Sequence, residues 1–221
     1  MRMFDFWKSL SAGPLADIVA LSLTVSFSAT TIAAVVGLPS GAALAICRFP
    51  GRRLLILLAN ALLGLPPVVV GLGLYLLLSH SGLLGMLALL FTPGAMVLAQ
   101  AALATPIITA LTHRAVEEPW REYGGVLRVD GASRIRSIQI LLGIARRPVL
   151  TAVLAGFGRT ISEVGAVLIV GGNIAGYTRT MTTAIVLKTS MGDLELALGL
   201  GFIVIGISIA VSGAAFVLGE K

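Results

Sequence analysis

Two oppositely charged side chains stand four residues apart in an otherwise apolar stretch, Gly158-Arg159-Thr160-Ile161-Ser162-Glu163-Val164-Gly165. On one helix that spacing puts Arg159, Ser162 and Glu163 on a shared face. A charge at the centre of a bilayer costs about 2.5–3.5 kcal/mol on insertion scales, so such residues pair and commonly line a polar path. Two readings stand: a structural ion pair pinning the helix to its neighbours, or a face turned toward a path for ions. A second donor-rich run follows, Val170-Gly-Gly-Asn-Ile-Ala-Gly-Tyr-Thr-Arg-Thr-Met-Thr-Thr183, in which Asn173, Thr178 and Arg179 join glycine N–H groups. A tetrahedral dianion accepts hydrogen bonds on every oxygen, and this mixture of N–H, O–H and guanidinium donors suits it. The same run also reads as an ordinary exposed loop.

Other chemistry finds no residues to carry it. The chain lacks the Gly-x-x-x-x-Gly-Lys-[Ser/Thr] loop that cradles nucleotide phosphates. The single cysteine, Cys47, has no partner for a disulfide and no ligand set around it, and reads as a small apolar filler near a helix end. His80 and His113 are far apart in sequence and read as loop or interface residues. No Ser/His/Asp, Cys/His or metal-ligand set is assembled, so neither a catalytic residue nor a metal site is expected and the chain is read as a non-enzyme.

The elements that position these residues follow from hydropathy. The chain has 221 residues, 57% hydrophobic and 12% charged, with a mean hydropathy of +1.01, and is read as one domain, residues 1–221. Soluble domains carry about 25% charged residues, so this is an all-α integral membrane composition. The formal net charge of +6 comes from arginines lying between apolar stretches rather than from a clustered nucleic-acid footprint. A spanning helix needs about 20 apolar residues, and about five spans are expected near 18–46, 54–78, 94–112, 149–170 and 195–218. The piece 83–91 is short and is read as interfacial or re-entrant. The first run is about twice the length of a signal-peptide core and is expected to be retained. Pro66-Pro67 removes backbone hydrogen bonds inside the second span, which predicts a bend or break there.

Arginine distribution sets an expected orientation. Arg48, Arg52, Arg53 and the arginines of 113–148 fall on one side with Lys221, whereas Arg2, Lys8, Arg179 and Lys188 fall on the other. The positive-inside rule then places the N-terminus outside and the C-terminus in the cytoplasm. The 113–148 segment is expected to be a cytoplasmic loop of short amphipathic helices broken at Gly131. It serves either as a linker lying on lipid headgroups or as a docking surface.

Within that loop, Arg-Val-Asp-Gly-Ala-Ser-Arg134 resembles the coupling loop of binding-protein-dependent ABC importer permeases. Aligned on Gly131, the family's Glu-Ala-Ala triplet falls here on Gly125, Val126 and Leu127, and its Leu-Pro falls on Gly143-Ile144, so the glycine and its Ala-Ser neighbours match and the triplet and the proline do not. The run Gly158 to Met191, together with Gly64-Leu65-Pro66-Pro67 and Leu90-Phe91-Thr92-Pro93, resembles the tungstate permeases and, less closely, the molybdate permeases of that class. The resemblance implies a type I ABC permease fold, acting as a homodimer in the inner (plasma) membrane. A separate ATPase subunit would hold ATP and Mg, and an extracytoplasmic oxyanion-binding protein would deliver tungstate, or alternatively molybdate or sulfate. It also implies a coupling surface over 121–136, with Arg121, Glu122, Gly131, Ala132, Ser133 and Arg134, and a substrate path with Arg159, Ser162, Glu163, Asn173, Thr178 and Arg179. Two other classes compete: a gradient-driven carrier, for which no inverted repeat is visible, and a membrane scaffold in which the ion pair is purely structural.

Overall fold

The computed structural model describes residues 14–220. Arg2, Lys8 and Lys221, which entered the charge asymmetry, lie outside them. Among the described residues every regular element is helical. Helix α1 runs Pro14–Ile46, α2 Arg52–Ala61, α3 Pro67–Leu78, α4 Pro93–Val129, α5 Arg134–Ile144, α6 Arg146–Ile161, α7 Gly165–Gly171, α8 Met181–Ser190 and α9 Leu194–Glu220. Three of these are long and apolar enough to cross a membrane, over Leu15–Ile46, Pro93–Val129 and Leu194–Ala214. The number rises to five if each of two sharply bent pairs is taken as one span.

The first bent pair is the consequence of Pro66-Pro67. A 3₁₀ turn at Leu62–Gly64 ends α2, Pro66 is extended at φ −65 and ψ 122, and α3 starts at Pro67, where the missing N–H costs nothing. The two limbs, Arg52–Gly64 and Pro67–Leu78, are bent by 106°. The second pair, α5 and α6, turns by 85°.

Two boundaries differ from the expectation. The third span does not stop near 112: α4 continues for 37 residues through His113 and Pro119 to Val129. Hydropathy marks where a helix leaves the apolar layer, not where its hydrogen bonding ends, and Arg114, Ala115, Glu117 and Glu118 are good helix formers. At 1.5 Å per residue α4 is about 55 Å long, well beyond the roughly 30 Å hydrocarbon core. The chain reverses at Gly131, whose φ is +69, and Ser133 caps α5 by accepting from the Arg136 N–H at 3.3 Å. The fourth span, expected to reach 170, breaks instead after Ile161 and resumes as the short α7.

The bundle is organised around α4. In lipid no hydrophobic force separates helix–helix from helix–lipid contact, so close backbone approach through small residues drives association. Helix α1 supplies a stripe at every fourth position, Ala29, Ala33, Gly37, Gly41 and Ala45. A Cβ on Gly37 would stand 2.9 Å from Ile108 Cγ2, and one on Gly41 would stand 2.5 Å from the Thr109 carbonyl. Helix α6 presses on the same place, since a Cβ on Gly156 would lie 2.7 Å from Ile108 Cδ1. One end of the bundle packs Val25, Leu78, Met96, Ala166 and Val170 from α1, α3, α4 and α7. The other packs Ala42, Ala45, Val116, Leu141 and Ala145. Helix α9 lies against α8 through Leu200, Met181 and Ala184 and leaves Phe202, Ile205 and Ile209 facing outward.

This seam yields a stability prediction. Gly41→Leu should destabilise the chain in detergent by roughly 2 kcal/mol or more, because the collision is with backbone that cannot step aside. Gly143→Ala, in open space on α5, should be neutral or stabilising by up to about 1 kcal/mol. Thermal unfolding of both variants checks the pair, and an unaltered melting temperature for Gly41→Leu would contradict the assigned helix contact.

Candidate functional site

The break between α6 and α7 is where the intramembrane charges sit. Helix α6 loosens at its end as the Ser162 hydroxyl donates back to the Gly158 carbonyl at 2.7 Å, a local bond that competes with helix continuation. Arg159 and Glu163 pair across this terminus, with Arg159 Nη1 3.4 Å from Glu163 Oε2. The span expected near 149–170 would put both in mid-helix; Arg159 lies instead in the last turn of α6 and Glu163 just beyond it. The two partners differ in freedom: the Glu163 side chain is 2% exposed and that of Arg159 30%.

Glu163 is held from three sides. Its Oε1 accepts from the Ala166 backbone N–H at 3.0 Å, satisfying a donor in the first turn of α7. Its main-chain carbonyl accepts from the Thr182 hydroxyl at 2.8 Å. Helix α3 closes the third side, because Gly165 and Gly71 let the two half-length helices touch. A Cβ on Gly71 would stand 2.8 Å from Ala166 Cα, and one on Gly165 3.0 Å from Val68 Cγ2. The Pro66-Pro67 break and the Glu163 break, about a hundred residues apart in sequence, therefore adjoin in space.

Beside the ion pair runs a buried line of hydroxyls that the sequence reading missed. Thr30 Oγ1 and Thr160 Oγ1 lie 3.0 Å apart, and Ser22 Oγ accepts from the Met181 N–H at 2.8 Å. Thr180 caps α8 through a reciprocal bond with Thr183. The signal was present: Ser22, Ser26 and Thr30 recur at every fourth residue inside a charge-free apolar run, the mark of one polar helix face.

The second predicted group, Asn173, Thr178 and Arg179, lies in the turn that follows the seven-residue α7 and leads into Thr180, whose hydroxyl meets that of Thr182 and through it the Glu163 carbonyl. Several of their donors are used locally. Arg179 Nε donates to Asn173 Oδ1 at 3.2 Å, and Arg179 Nη2 donates to the Asn173 carbonyl at 3.3 Å. Thr178 Oγ1 donates to the Gly171 carbonyl and accepts from the Ile174 N–H at 2.9 Å. Asn173 itself takes φ +51, a conformation asparagine tolerates.

The predicted coupling residues are together at the far end of α4. Arg121 and Glu122 are exposed on its final turns. Arg121 pairs with Glu117 at 3.0 Å, a surface bridge worth at most about 1 kcal/mol. Gly131, Ala132 and Ser133 make the reversal and Arg134 opens α5. The positions Gly125, Val126 and Leu127 fall on the last turns of α4. The Trp120 ring lies 5.0 Å from the Arg128 guanidinium and packs against Gly124, where a Cβ would meet the ring at 2.8 Å.

A bundle of apolar helices, two of them broken next to one another beside an ion pair whose glutamate is buried, is an architecture that membrane transport proteins use. Residues 33–220 match the family described as binding-protein-dependent transport system inner membrane component, and the chain belongs to that family of ABC permeases. A tungstate uptake system permease protein, TupB, of Peptoclostridium acidaminophilum is 39% identical over 204 residues, 92% of this chain and 90% of that protein. A probable anion ABC transporter permease protein of Haloferax volcanii is 39% identical over 209 residues, 91% and 90% of the two chains. A putative molybdenum transport system permease protein, YvgM, of Bacillus subtilis is 32% identical over 200 residues, 86% and 87%.

The bridging role of Glu163 is open to direct measurement. Glu163→Gln keeps an acceptor for the Ala166 N–H and should melt close to the parent, whereas Glu163→Ala leaves that donor and Arg159 without a partner and should lose roughly 1–3 kcal/mol. Equal melting temperatures for the two variants would show that this carboxyl does not hold the break together.

Proposed function

We propose that this chain is the membrane-spanning permease of an ATP-driven tungstate importer, working as a homodimer with a separate ATPase that holds ATP and Mg and a separate extracytoplasmic oxyanion-binding protein. The likeness to a tungstate permease over nine-tenths of both chains supports the substrate. The geometry supports an oxyanion through one observation: Arg159 presents a partly exposed guanidinium with a single loose contact, 3.4 Å, to a carboxylate that is itself fixed by a backbone N–H. A guanidinium offers five donors in a planar fork suited to oxyanions. Arg159 would draw the dianion toward the two-fold axis of the dimer, with Ser162 adding a hydroxyl, while Glu163 keeps that attraction from becoming a trap. Asn173, Thr178 and Arg179 serve this reading by shaping the turn at the mouth of the path.

Energy would enter at 121–136. Helix α4 carries Arg121 and Glu122 at one end and packs on α7 through Met96 and Gly171 at the other, so a displacement of the ATPase-facing end would reach the helix break along one continuous helix. Gly131, Ala132, Ser133 and Arg134 form the corner that would seat in the ATPase. With this corner cytoplasmic, α1 begins outside and α9 ends inside, the orientation that the arginine distribution favours. Molybdate is the second reading, favoured by the molybdenum-named relative.

Accumulation of tungstate and molybdate in cells lacking this chain, restored with the parent or with variants, tests the proposal. The parent should restore tungstate accumulation. Arg159→Ala should restore it at least about tenfold more slowly, the loss of one charge-assisted contact. Arg159→Lys should fall between, since it keeps the charge and loses the fork. Unchanged accumulation of both oxyanions without the chain would sink the substrate assignment.

A further inference from the structure

From Glu163 the chain makes a closed excursion. Helix α7 leads away from the break, the turn 172–180 reverses direction, and the first turn of α8 comes back to the starting point. There Thr182 Oγ1 donates to the Glu163 carbonyl at 2.8 Å, nineteen residues away in sequence. The turn inside this loop is stiff. The N–H groups of Tyr177, Thr178 and Arg179 all donate to the Ile174 carbonyl, at 3.0–3.2 Å, and the Thr178 hydroxyl ties the turn to the Gly171 carbonyl. Its tip stands clear of the bundle, with Ile174 44% and Tyr177 50% exposed, while Thr178, Thr180 and Thr182 are buried.

Position in the helix explains why Thr182 reaches outside it. A helical hydroxyl commonly donates to the carbonyl four residues earlier, as those of Thr30, Thr105 and Thr189 do. Thr182 is the second residue of α8, so no carbonyl of its own helix precedes it by four and its proton is available to another element. The Glu163 carbonyl has the matching need. With α6 ending at Ile161 and α7 starting at Gly165, it belongs to neither helix, and an acceptor left unpaired inside a membrane protein is costly. Proton count fixes the direction of the bonds. A carbonyl only accepts, so Thr182 donates to Glu163 and meets Thr180 Oγ1, 3.2 Å away, as an acceptor. Thr183 donates to the Thr180 carbonyl at 3.2 Å, which leaves the Thr180 hydroxyl to donate to Thr182. Hydroxyls bonded in series reinforce one another.

We infer that Thr182 is a positioning residue for the Arg159–Glu163 pair, clasping the 163–182 loop shut and so setting where the Glu163 carboxylate stands against Arg159. Glu163 is bonded at four points. Its N–H donates to the Thr160 carbonyl at 3.2 Å, Oε1 accepts from Ala166 N–H, Oε2 faces Arg159, and its carbonyl takes the Thr182 hydroxyl. Three of these partners lie within four residues of Glu163, and Thr182 alone ties it to a distant element. Releasing the carbonyl lets the peptide plane between Glu163 and Val164 turn, which shifts the Ala166 N–H that holds the carboxylate. The charge that Arg159 presents to an oxyanion is what Glu163 leaves uncovered, so the clasp tunes the site without touching the ion. Because the turn is stiff and runs directly into Thr180, a displacement of its exposed tip is delivered to the same carbonyl.

The inference rests on the reading of Arg159 as part of the oxyanion path, and two measurements keep the two apart. The first is initial tungstate uptake by cells carrying the full chain, normalised to the amount of permease. Thr182→Val keeps the shape and removes the donor, and should slow uptake at least about fivefold, whereas Thr182→Ser keeps the donor and should stay within about twofold of the parent. Thr182→Cys, a weaker donor, should fall between and carries the comparison where the valine variant does not accumulate. In an Arg159→Ala background, Thr182→Val should cost less than about twofold, because the pair it positions is gone. A parental rate for Thr182→Val, or an equal fold loss with and without Arg159, would overturn the inference. The second measurement is amide hydrogen exchange on the purified full chain, which needs no substrate. Thr182→Val should speed exchange across 163–171 by about tenfold and Thr182→Ser should not. Unaltered exchange in Thr182→Val would remove the clasp, whatever the ion carried. Faster exchange in a chain that moves neither tungstate nor molybdate would keep the clasp and sink only the substrate reading.

Discussion

Close approach of α1 and α4 is the constraint from which the remaining architecture follows. Lipid tails compete on equal terms for any leucine, so these helices gain by bringing backbones together where side chains are missing. The four-residue period of Ala29, Ala33, Gly37, Gly41 and Ala45 does this along most of α1. Ile108 fills the space left by both Gly37 and Gly156, and so one side chain of α4 registers α1 and α6 together. With three helices locked, the positions of α3 and α7 are set by what can pack on them.

That locked frame tolerates two broken helices. A break within the membrane frees backbone groups that water cannot reach, and it persists only where protein satisfies them. At 162–164 the compensation comes from Glu163, whose carboxylate takes the Ala166 N–H, and from Thr182, whose hydroxyl serves the Glu163 carbonyl. At Pro66-Pro67 the chain needs less, because proline has no N–H to satisfy. Placing the two breaks side by side concentrates the irregular backbone, the ion pair and the hydroxyl seam in one region. The neighbouring α4 buries polar groups of its own, Gln100, Thr109, Thr112 and His113.

Helix α4 connects that region to the basic end of the molecule. Its continuity through His113 makes one rod of what hydropathy divides into a span and a loop. Pro106 and Pro119 lie within it, and where the helix leaves the apolar layer Trp120 packs against Gly124 and the Arg128 guanidinium.

Much of this molecule was legible in local chemistry. Apolar run lengths identify a membrane protein, Pro66-Pro67 a broken helix, Gly131 a reversal, and the residues from Gly158 to Met191 carry the likeness to oxyanion permeases, because each is a property of a few neighbouring residues. The end of α6 at Ile161 was not, since it depends on Ala166, Thr182 and the approach of α3, all supplied by folding. The hydroxyl seam is half of each kind: the period of Ser22, Ser26 and Thr30 stands in the sequence, but its partners Thr160 and Met181 come from elements more than a hundred residues away. Asn173, Thr178 and Arg179 show the converse, for residue type suggests donors for a ligand and the tertiary turn spends several of those donors on its own oxygens. Sequence alone determined which groups are present and which stretches favour lipid, because transfer free energies act residue by residue. Only the tertiary structure decided which donors remain free, because a hydrogen bond needs a partner and the fold chooses it.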